Sequence, residues 1–333
     1  MNQKLLSIAI PTWNRAKTLE QALLRILPQA KLCSDALQLV ISDNASTDHT
    51  SEVVRDFIVQ YPEIEIDYFV QETNTGFFGN FCKVKELSTA KFVWMLSDDD
   101  FIDEKLIGRI INILIEQNDL GILFLHNWTI KDTLKYYIEK KSVENIFIKE
   151  NYRLTLISSV IFINDKKNEQ FLADRFKNSN FIGFMFLVDA LKDKKEGMVL
   201  FGNSINVGMD VPKGYNWFQA FIIDINVVLQ YMSDVGYSKN IIVAIRNNIL
   251  KKLIIFRYSL LKAYSKLDGG LETWDLQRIN KLIFNYYIKD IETFFVFLPS
   301  YLMPGVFLRI YYALKTQLRN RIWIRLKTLL HKN

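Results

Sequence analysis

Three times in the first hundred residues a short apolar run stops at a polar cluster. Residues 5–10 (LLSIAI) run into Pro11-Thr12-Trp13-Asn14-Arg15. Residues 37–42 (LQLVIS) run into Asp43-Asn44-Ala45-Ser46-Thr47-Asp48, and residues 91–96 (KFVWML) into Ser97-Asp98-Asp99-Asp100. Between them, apolar residues recur at helical spacing, at Leu19, Ala22, Leu23 and Ile26 and again at Val53, Val54, Phe57 and Ile58. Short apolar runs alternating with amphipathic helices predict parallel strands joined by crossover helices. Functional loops in such sheets stand at the carboxyl ends of the strands. The three polar clusters are therefore expected on one sheet edge.

The remaining pattern fills in the fold. Residues 64–70 alternate like a strand, and residues 76–87 read as a helix reached through a glycine turn. Thr18 is the expected N-cap of the first helix. Further on, residues 120–125, 157–163 and 199–207 read as strands, and 180–191 and 216–231 as helices. From Lys239 the period is helical, with breaks expected at Asp268-Gly269-Gly270 and from Pro299 to Gly305. The expected class is α/β: a Rossmann-like, mostly parallel central sheet with flanking helices, followed by a helical C-terminal region. The expected division is an α/β domain over 1–238 and a basic helical region over 239–333.

Charge supports that division. Residues 1–238 carry 25 Lys/Arg against 31 Asp/Glu, whereas residues 239–333 carry 17 against 5. An acidic body is thus joined to a basic, aromatic tail, which suits an anionic surface. With half the residues hydrophobic and 23% charged, the chain is not disordered. Two cysteines exclude a disulfide scaffold or a Cys-rich zinc module, and three histidines a multi-His metal site. The N-terminal run breaks at Pro11, too early for a signal peptide. No stretch reaches about 18 uninterrupted apolar residues. A cytoplasmic, non-spanning chain is expected.

Three adjacent carboxylates at Asp98, Asp99 and Asp100 repel one another, and burial makes this worse. A hard divalent cation, Mn²⁺ or Mg²⁺, would compensate them, with a diphosphate completing its shell. The simpler alternative is a solvated turn capping the next helix. Asp43, ending its strand, suits a contact to a nucleotide, with Asn44 beside it, while Ser46 to Asp48 suit capping. Arg15 can reach a phosphate. The stretch Asn74-Thr75-Gly76-Phe77-Phe78-Gly79-Asn80 combines glycines that admit a ligand with polar groups, and offers Asn74, Gly76 and Asn80 as candidates. No GxGxxG or GxxxxGK[ST] motif is present, so a standard dinucleotide site and a P-loop are excluded.

The blocks IAIPTWNR, LVISDNASTDHT, NTGFFGNF and KFVWMLSDDD, in that order over residues 5 to about 110, resemble the family 2 glycosyltransferases of the GT-A fold. SDDD, with LISSVIFIN at 156–164 and NFIGFMFLVDAL at 180–191, resembles the abequosyltransferase-like subgroup of bacterial surface-polysaccharide enzymes. The resemblance implies that Pro11, Thr12, Asn14 and Arg15 line a nucleotide pocket and that Asp43 contacts the base. It implies that Asp98 faces the ribose and Asp99 the metal, with Ser97 where the first acid of a DxD element usually stands. Asp98-Asp99-Asp100 is the other register, which brings Asp100 to the metal. It further implies a nucleoside-diphosphate sugar donor, single displacement with inversion, and a lipid-linked oligosaccharide acceptor of O-antigen or capsule synthesis.

Such a reaction needs a base to deprotonate the acceptor hydroxyl. Asp174 and Asp210, in loop-like segments, are the candidates, ahead of Asp189. Residues 308–330 place Leu308, Tyr311, Tyr312, Leu314, Leu318, Ile322, Leu326 and Leu329 near helical spacing among basic residues, with Trp323. That pattern suits either an anionic membrane surface on the inner face of the cell membrane or a helix packed on the core. Nucleic acid is not an expected partner, since no recognition motif accompanies the charge. Two alternatives stay open: a nucleotidyltransferase-like enzyme, and a catalytically inactive membrane-associated scaffold that binds a nucleotide sugar.

Overall fold

The computed structural model describes residues 3–117, 119–126, 136–177, 179–202, 204–206, 217–264, 276–289 and 291–311. The first part alternates as expected: β1 (Leu6–Thr12), α1 (Ala16–Lys31), β2 (Leu37–Asp43), α2 (Thr50–Gln60), β3 (Ile66–Val70), α3 (Gly76–Leu87) and β4 (Phe92–Met95). Then follow β5 (Phe101–Ile102), α4 (Leu106–Glu116), β6 (Ile122–His126), β7 (Tyr137–Ser142), α5 (Val143–Glu150), β8 (Val160–Ile163), α6 (Glu169–Arg175), α7 (Ile182–Leu191), β9 (Glu196–Phe201) and β10 (Ile205–Asn206). Among the described residues, the helical segments α8 (Ile225–Asp234), α9 (Lys239–Ile249), α10 (Ile255–Tyr264), α11 (Leu276–Tyr286) and α12 (Ile291–Leu302) come after these.

Among the described residues, eight strands form one sheet in the order β3-β2-β1-β4-β8-β6-β9-β7. The pairs β1–β2, β2–β3, β1–β4 and β6–β9 are parallel. β8 runs antiparallel between β4 and β6, and β7 closes the edge antiparallel to β9. With β8 reversed, β4 and β6 point the same way. The carboxyl ends of β1, β2, β4, β6 and β9 therefore share one edge of the sheet.

Burial on both faces explains why the central strands are apolar throughout. Ile8, Ile10, Leu39, Ile41, Trp94 and Leu123 face one layer, packed with Leu19, Leu23 and Ile26 of α1, Val54 and Phe57 of α2, and Ile107 and Ile110 of α4. α3, α5 and α7 cover the other side. Trp94 is fully buried, and its indole N–H donates to the Ser158 carbonyl at 2.7 Å. An unpaired buried donor there would cost about 1–3 kcal/mol.

Several local expectations shift. α1 begins at Ala16, so Thr18 lies inside the helix; the Asp48 carboxylate accepts the Ala16 N–H at 3.0 Å and satisfies that end instead. The expected strand 157–163 starts at Val160 behind a short 3-10 turn, and 199–207 resolves into β9 and β10. Asp174 is not in a loop: it stands in the last turn of α6. The chain continues helically through Pro299, and the break falls at Met303–Pro304, where α12 meets the helix Gly305–Tyr311 at 93°. The glycine break at 268–270 and the tail beyond Tyr311 lie outside the described residues.

The chain divides into two compact units, one of Met1–Asp210 with Val228–Ile245, the other of Val211–Val227 with Arg246–Asn333. This differs from a single cut at 238. The continuous helices 217–234 and 239–264 each contribute to both units, so no one position in the sequence separates them.

Candidate active site

The expected convergence is present. Thr12 pairs with Asp43 across β1 and β2, and the Leu96 N–H donates to the Ala9 carbonyl at 2.9 Å, so the segment after β4 leaves the sheet beside the end of β1. Thr12 Oγ1 then donates to Asp98 Oδ2 at 2.7 Å. Arg15 Nη1 lies 3.0 Å from Asp98 Oδ1 and 3.0 Å from Asp99 Oδ2, one guanidinium serving two carboxylates. Ser97 donates its hydroxyl to Asp99 Oδ1 at 2.5 Å. Ser158 Oγ accepts the Ser97 N–H at 3.1 Å and holds the turn against the start of β8.

All three aspartates are buried. Burial pushes Asp98 up to about 6, against the opposing pull of Arg15 and the Thr12 hydrogen bond. For Arg15, burial works against the charge, but Asp98 and Asp99 outweigh it and raise the guanidinium above its ordinary value. The cluster is thus a buried anionic pocket in which Arg15 pairs with Asp98 and Asp99.

The second loop is built more tightly. Asp43 is fully buried, and its carboxylate accepts the Ser46 N–H at 2.9 Å and the Tyr68 hydroxyl at 2.8 Å. Asp48 accepts the Thr50 N–H at 3.1 Å as well as that of Ala16, so one carboxylate caps the starts of α1 and α2. Asn14 and Ala45 both adopt positive φ. Their loops lock together: Asn14 N–H donates to Ser46 Oγ at 2.8 Å, and Asn14 Oδ1 accepts the Thr47 N–H at 2.7 Å. Ser46 is therefore an inter-loop acceptor rather than a cap.

Asn44 and Asn80 act as braces. Asn44 Oδ1 accepts the Thr75 N–H at 2.8 Å, and its amide donates to Asn74 Oδ1 and the Gly76 carbonyl. Asn80 donates to the carbonyls of Thr12 and Ser42 and accepts from Ser42 and Gln71. The surfaces left open around the cluster belong to Trp13, Asn14, Asn74 and Gly76, with Pro11 and Arg15 partly open. Tyr68, Gln71 and Ser158 were not singled out from the sequence. Each is an ordinary polar residue whose role comes from a partner distant in the chain.

Two of the candidate bases, Asp174 and Asp189, lie among the described residues. Asp174 is exposed on α6 and accepts from Gln170 at 3.0 Å, a local helical bond. Asp210 lies outside the described residues. Asp189 is buried in α7, bound by Tyr231, Asn168 and Lys192. Among the described residues no group of three or more His, Cys, Asp and Glu side chains is arranged to hold a metal ion. The aspartate cluster offers hard oxygen donors from two neighbouring carboxylates. Such a set fits Mg²⁺ or Mn²⁺ only when substrate phosphates supply further ligands.

Comparison with known proteins bears on the family and the fold. Residues 7–195 match the family model described as glycosyl transferase family 2. Abequosyltransferase RfbV of Salmonella typhimurium is 33% identical over 116 residues, 35% of this chain and 34% of that protein. A Campylobacter jejuni protein, GalNAc(5)-diNAcBac-PP-undecaprenol beta-1,3-glucosyltransferase, is 32% identical over 115 residues, 34% of this chain and 35% of that one. The match thus spans about a third of the length of each relative. Among solved structures, S. aureus TarS 1-349 aligns over 93% of this chain and 92% of its own at TM-score 0.55 and 12% identity, a likeness of fold.

Proposed function

Because the chain belongs to glycosyl transferase family 2, we propose that it moves a sugar from a nucleoside-diphosphate sugar to a hydroxyl of a lipid-linked oligosaccharide, with inversion, in the assembly of a bacterial surface polysaccharide such as O-antigen or capsule. The observation that carries this reading is the buried cluster of Thr12, Arg15, Asp98 and Asp99 at the carboxyl edge of the parallel strands. A donor with a diphosphate is the ligand such an edge is suited to take. The undecaprenol diphosphate in the name of the Campylobacter relative supports a lipid-linked acceptor.

In this reading Pro11, Thr12, Asn14, Asn74 and Gly76 wall the nucleotide, Asp43 contacts its base, and Asn44 and Asn80 hold that wall rigid. Asp98 takes the ribose side. Asp99, with Asp100, would hold Mn²⁺ or Mg²⁺, which supplies neutralisation of the charge that develops on the leaving diphosphate. Arg15 offers a second cation to that charge, and its existing pairing keeps the carboxylates compensated before the donor binds. Asp174 or Asp210 takes the acceptor proton. The site works from the inner face of the cell membrane, where nucleotide sugars and lipid-linked intermediates meet.

The test is nucleotide release from a panel of UDP-, GDP-, dTDP- and CDP-sugars, with and without Mn²⁺, for the wild type and for Asp99→Ala. Metal-dependent release from one donor, lost in the variant, is expected. Nucleotide binding that ignores both the metal and Asp99 would overturn the assignment of the cluster.

A further inference from the structure

A surface helix ordinarily turns polar residues outward and apolar residues inward. α12 departs from this. Its inner stripe is built on Thr293 and Phe297, both fully buried, with Phe297 against the rings of Tyr258 and Phe284. Its outer stripe is Ile291, Phe295, Pro299 and Leu302, and Phe295 is 59% and Leu302 64% exposed. The helix after the bend repeats the pattern: Leu308 points inward, while Val306, Phe307 and Ile310 are each more than half exposed. Between Ile291 and Tyr311 the only charged residues are Glu292 and Arg309. Single exposed apolar residues are ordinary. A continuous run of them across two helices marks an interaction surface.

The bend is held in place by its own unit. A side chain at Gly305 would put its Cβ 2.4 Å from the Lys262 carbonyl, so the second helix can approach α10 only with glycine there. Arg309 donates twice to the Ala263 carbonyl, at 2.9 and 2.7 Å, and the Lys262 ammonium donates to the Ser300 and Tyr301 carbonyls. The polar groups at the break face inward to these partners. The apolar outer face is thus a fixed feature of the fold.

We infer that the bent pair Ile291–Leu302 and Gly305–Tyr311 is a docking surface for an anionic lipid bilayer, with the side chains of Phe295, Leu302, Val306, Phe307 and Ile310 seated at the boundary of headgroups and acyl chains. α12 has 12 residues. At 1.5 Å per residue it is about 18 Å long, shorter than the ~30 Å hydrocarbon core. No single helix among the described residues is long and apolar enough to cross a membrane. Apolar faces on either side of a near right-angle bend suit an element that lies in the interface. Charge selects the partner. Residues 239–333 carry 17 Lys/Arg against 5 Asp/Glu, and the 22 residues after Tyr311 carry six basic and no acidic ones. An excess of positive charge in the same region of the sequence as an apolar face favours anionic headgroups over a neutral surface or another copy of this cationic region.

The inference rests on the lipid-linked acceptor reading for its purpose. Vesicle flotation uses neither donor nor acceptor, so its failure is distinguishable from failure of that reading. Full-length protein is floated with phosphatidylcholine vesicles with and without phosphatidylglycerol. The wild type is expected to float with the anionic vesicles and to be released by salt. The double variant Phe295→Glu/Phe307→Glu is expected to lose binding by roughly tenfold or more, with unchanged thermal unfolding and unchanged nucleotide release. Arg319→Glu/Arg321→Glu/Arg325→Glu is expected to bind more weakly and with a smaller salt dependence. The inference is overturned if the wild type stays unbound, or if the Phe variant floats like the wild type. It is also overturned if sedimentation shows a dimer that the Phe variant dissociates, which makes the face a contact between copies.

Discussion

At Asn14 the backbone turns left-handed, with φ of 52°, and the side chain closes the turn by accepting the Thr47 N–H. Asn tolerates that conformation better than other residues with a Cβ, and its oxygen is needed as well. Asn14→Ala should therefore cost about 0.5–1.5 kcal/mol in unfolding, and Asn14→Gly should recover part of it. Equal losses in both would assign the whole effect to the acceptor. Arg15 carries a different expectation. Without it, Asp98 and Asp99 are left buried with no guanidinium, and removal of one partner from such a pair typically costs about 3–5 kcal/mol. Arg15→Ala should lower the unfolding midpoint in metal-free buffer, and Mn²⁺ should restore more of it than it adds to the wild type. No such recovery would speak against a cation site at the pair. The residue types at both positions were legible in the sequence. That Arg15 itself compensates the aspartates was not, because the partners are 83 residues apart.

At the scale of elements, α6 packs on α3 and α7, two of the helices that cover the sheet. Lys85 of α3 is buried, paired with Glu169 of α6 and bonded to Asn164 at 2.6 Å. Burial lowers its ammonium below the ordinary lysine value, against the pull of Glu169. Lys85→Ala should destabilise by about 3 kcal/mol, since it strands Glu169 in a mostly buried position. Gly183 opens the packing between α7 and α3: a Cβ there would lie 2.6 Å from the ring of Phe81. Gly183→Ala should cost about 1–3 kcal/mol by overpacking; no change in the unfolding midpoint would show that the ring yields freely. The elements easiest to read from sequence were β1, β2 and β4, whose apolar runs are buried on both faces. β7 escaped because it is an edge strand, Tyr-Ile-Glu-Lys-Lys-Ser, whose charges protect an exposed edge and erase the alternating signal. α6, with seven residues and one fully covered side chain, is too short for periodicity to show.

For the whole molecule, the split between an acidic body and a basic C-terminal region predicts a dependence on the acceptor's environment. Reversing charge at Arg319, Arg321 and Arg325 should leave nucleotide release in solution unchanged and lower transfer to an acceptor embedded in anionic vesicles. Equal rates of transfer in variant and wild type would remove the membrane from the account of activity. The sequence by itself determined the class of fold, the three loops on one edge, the aspartate triplet and the charge split. These follow from local periodicity, from residue type and from counting, which need no knowledge of partners. Tertiary structure alone decided that β8 runs antiparallel between β4 and β6, and that Asp43, Asn44 and Asn80 are braces within the protein. It alone showed Arg15 paired with Asp98 and Asp99 and α12 with apolar residues on its outer face. Each of these depends on what a residue meets across the fold, and hydrogen bonding, ion pairing and burial are set by neighbours in space rather than along the chain.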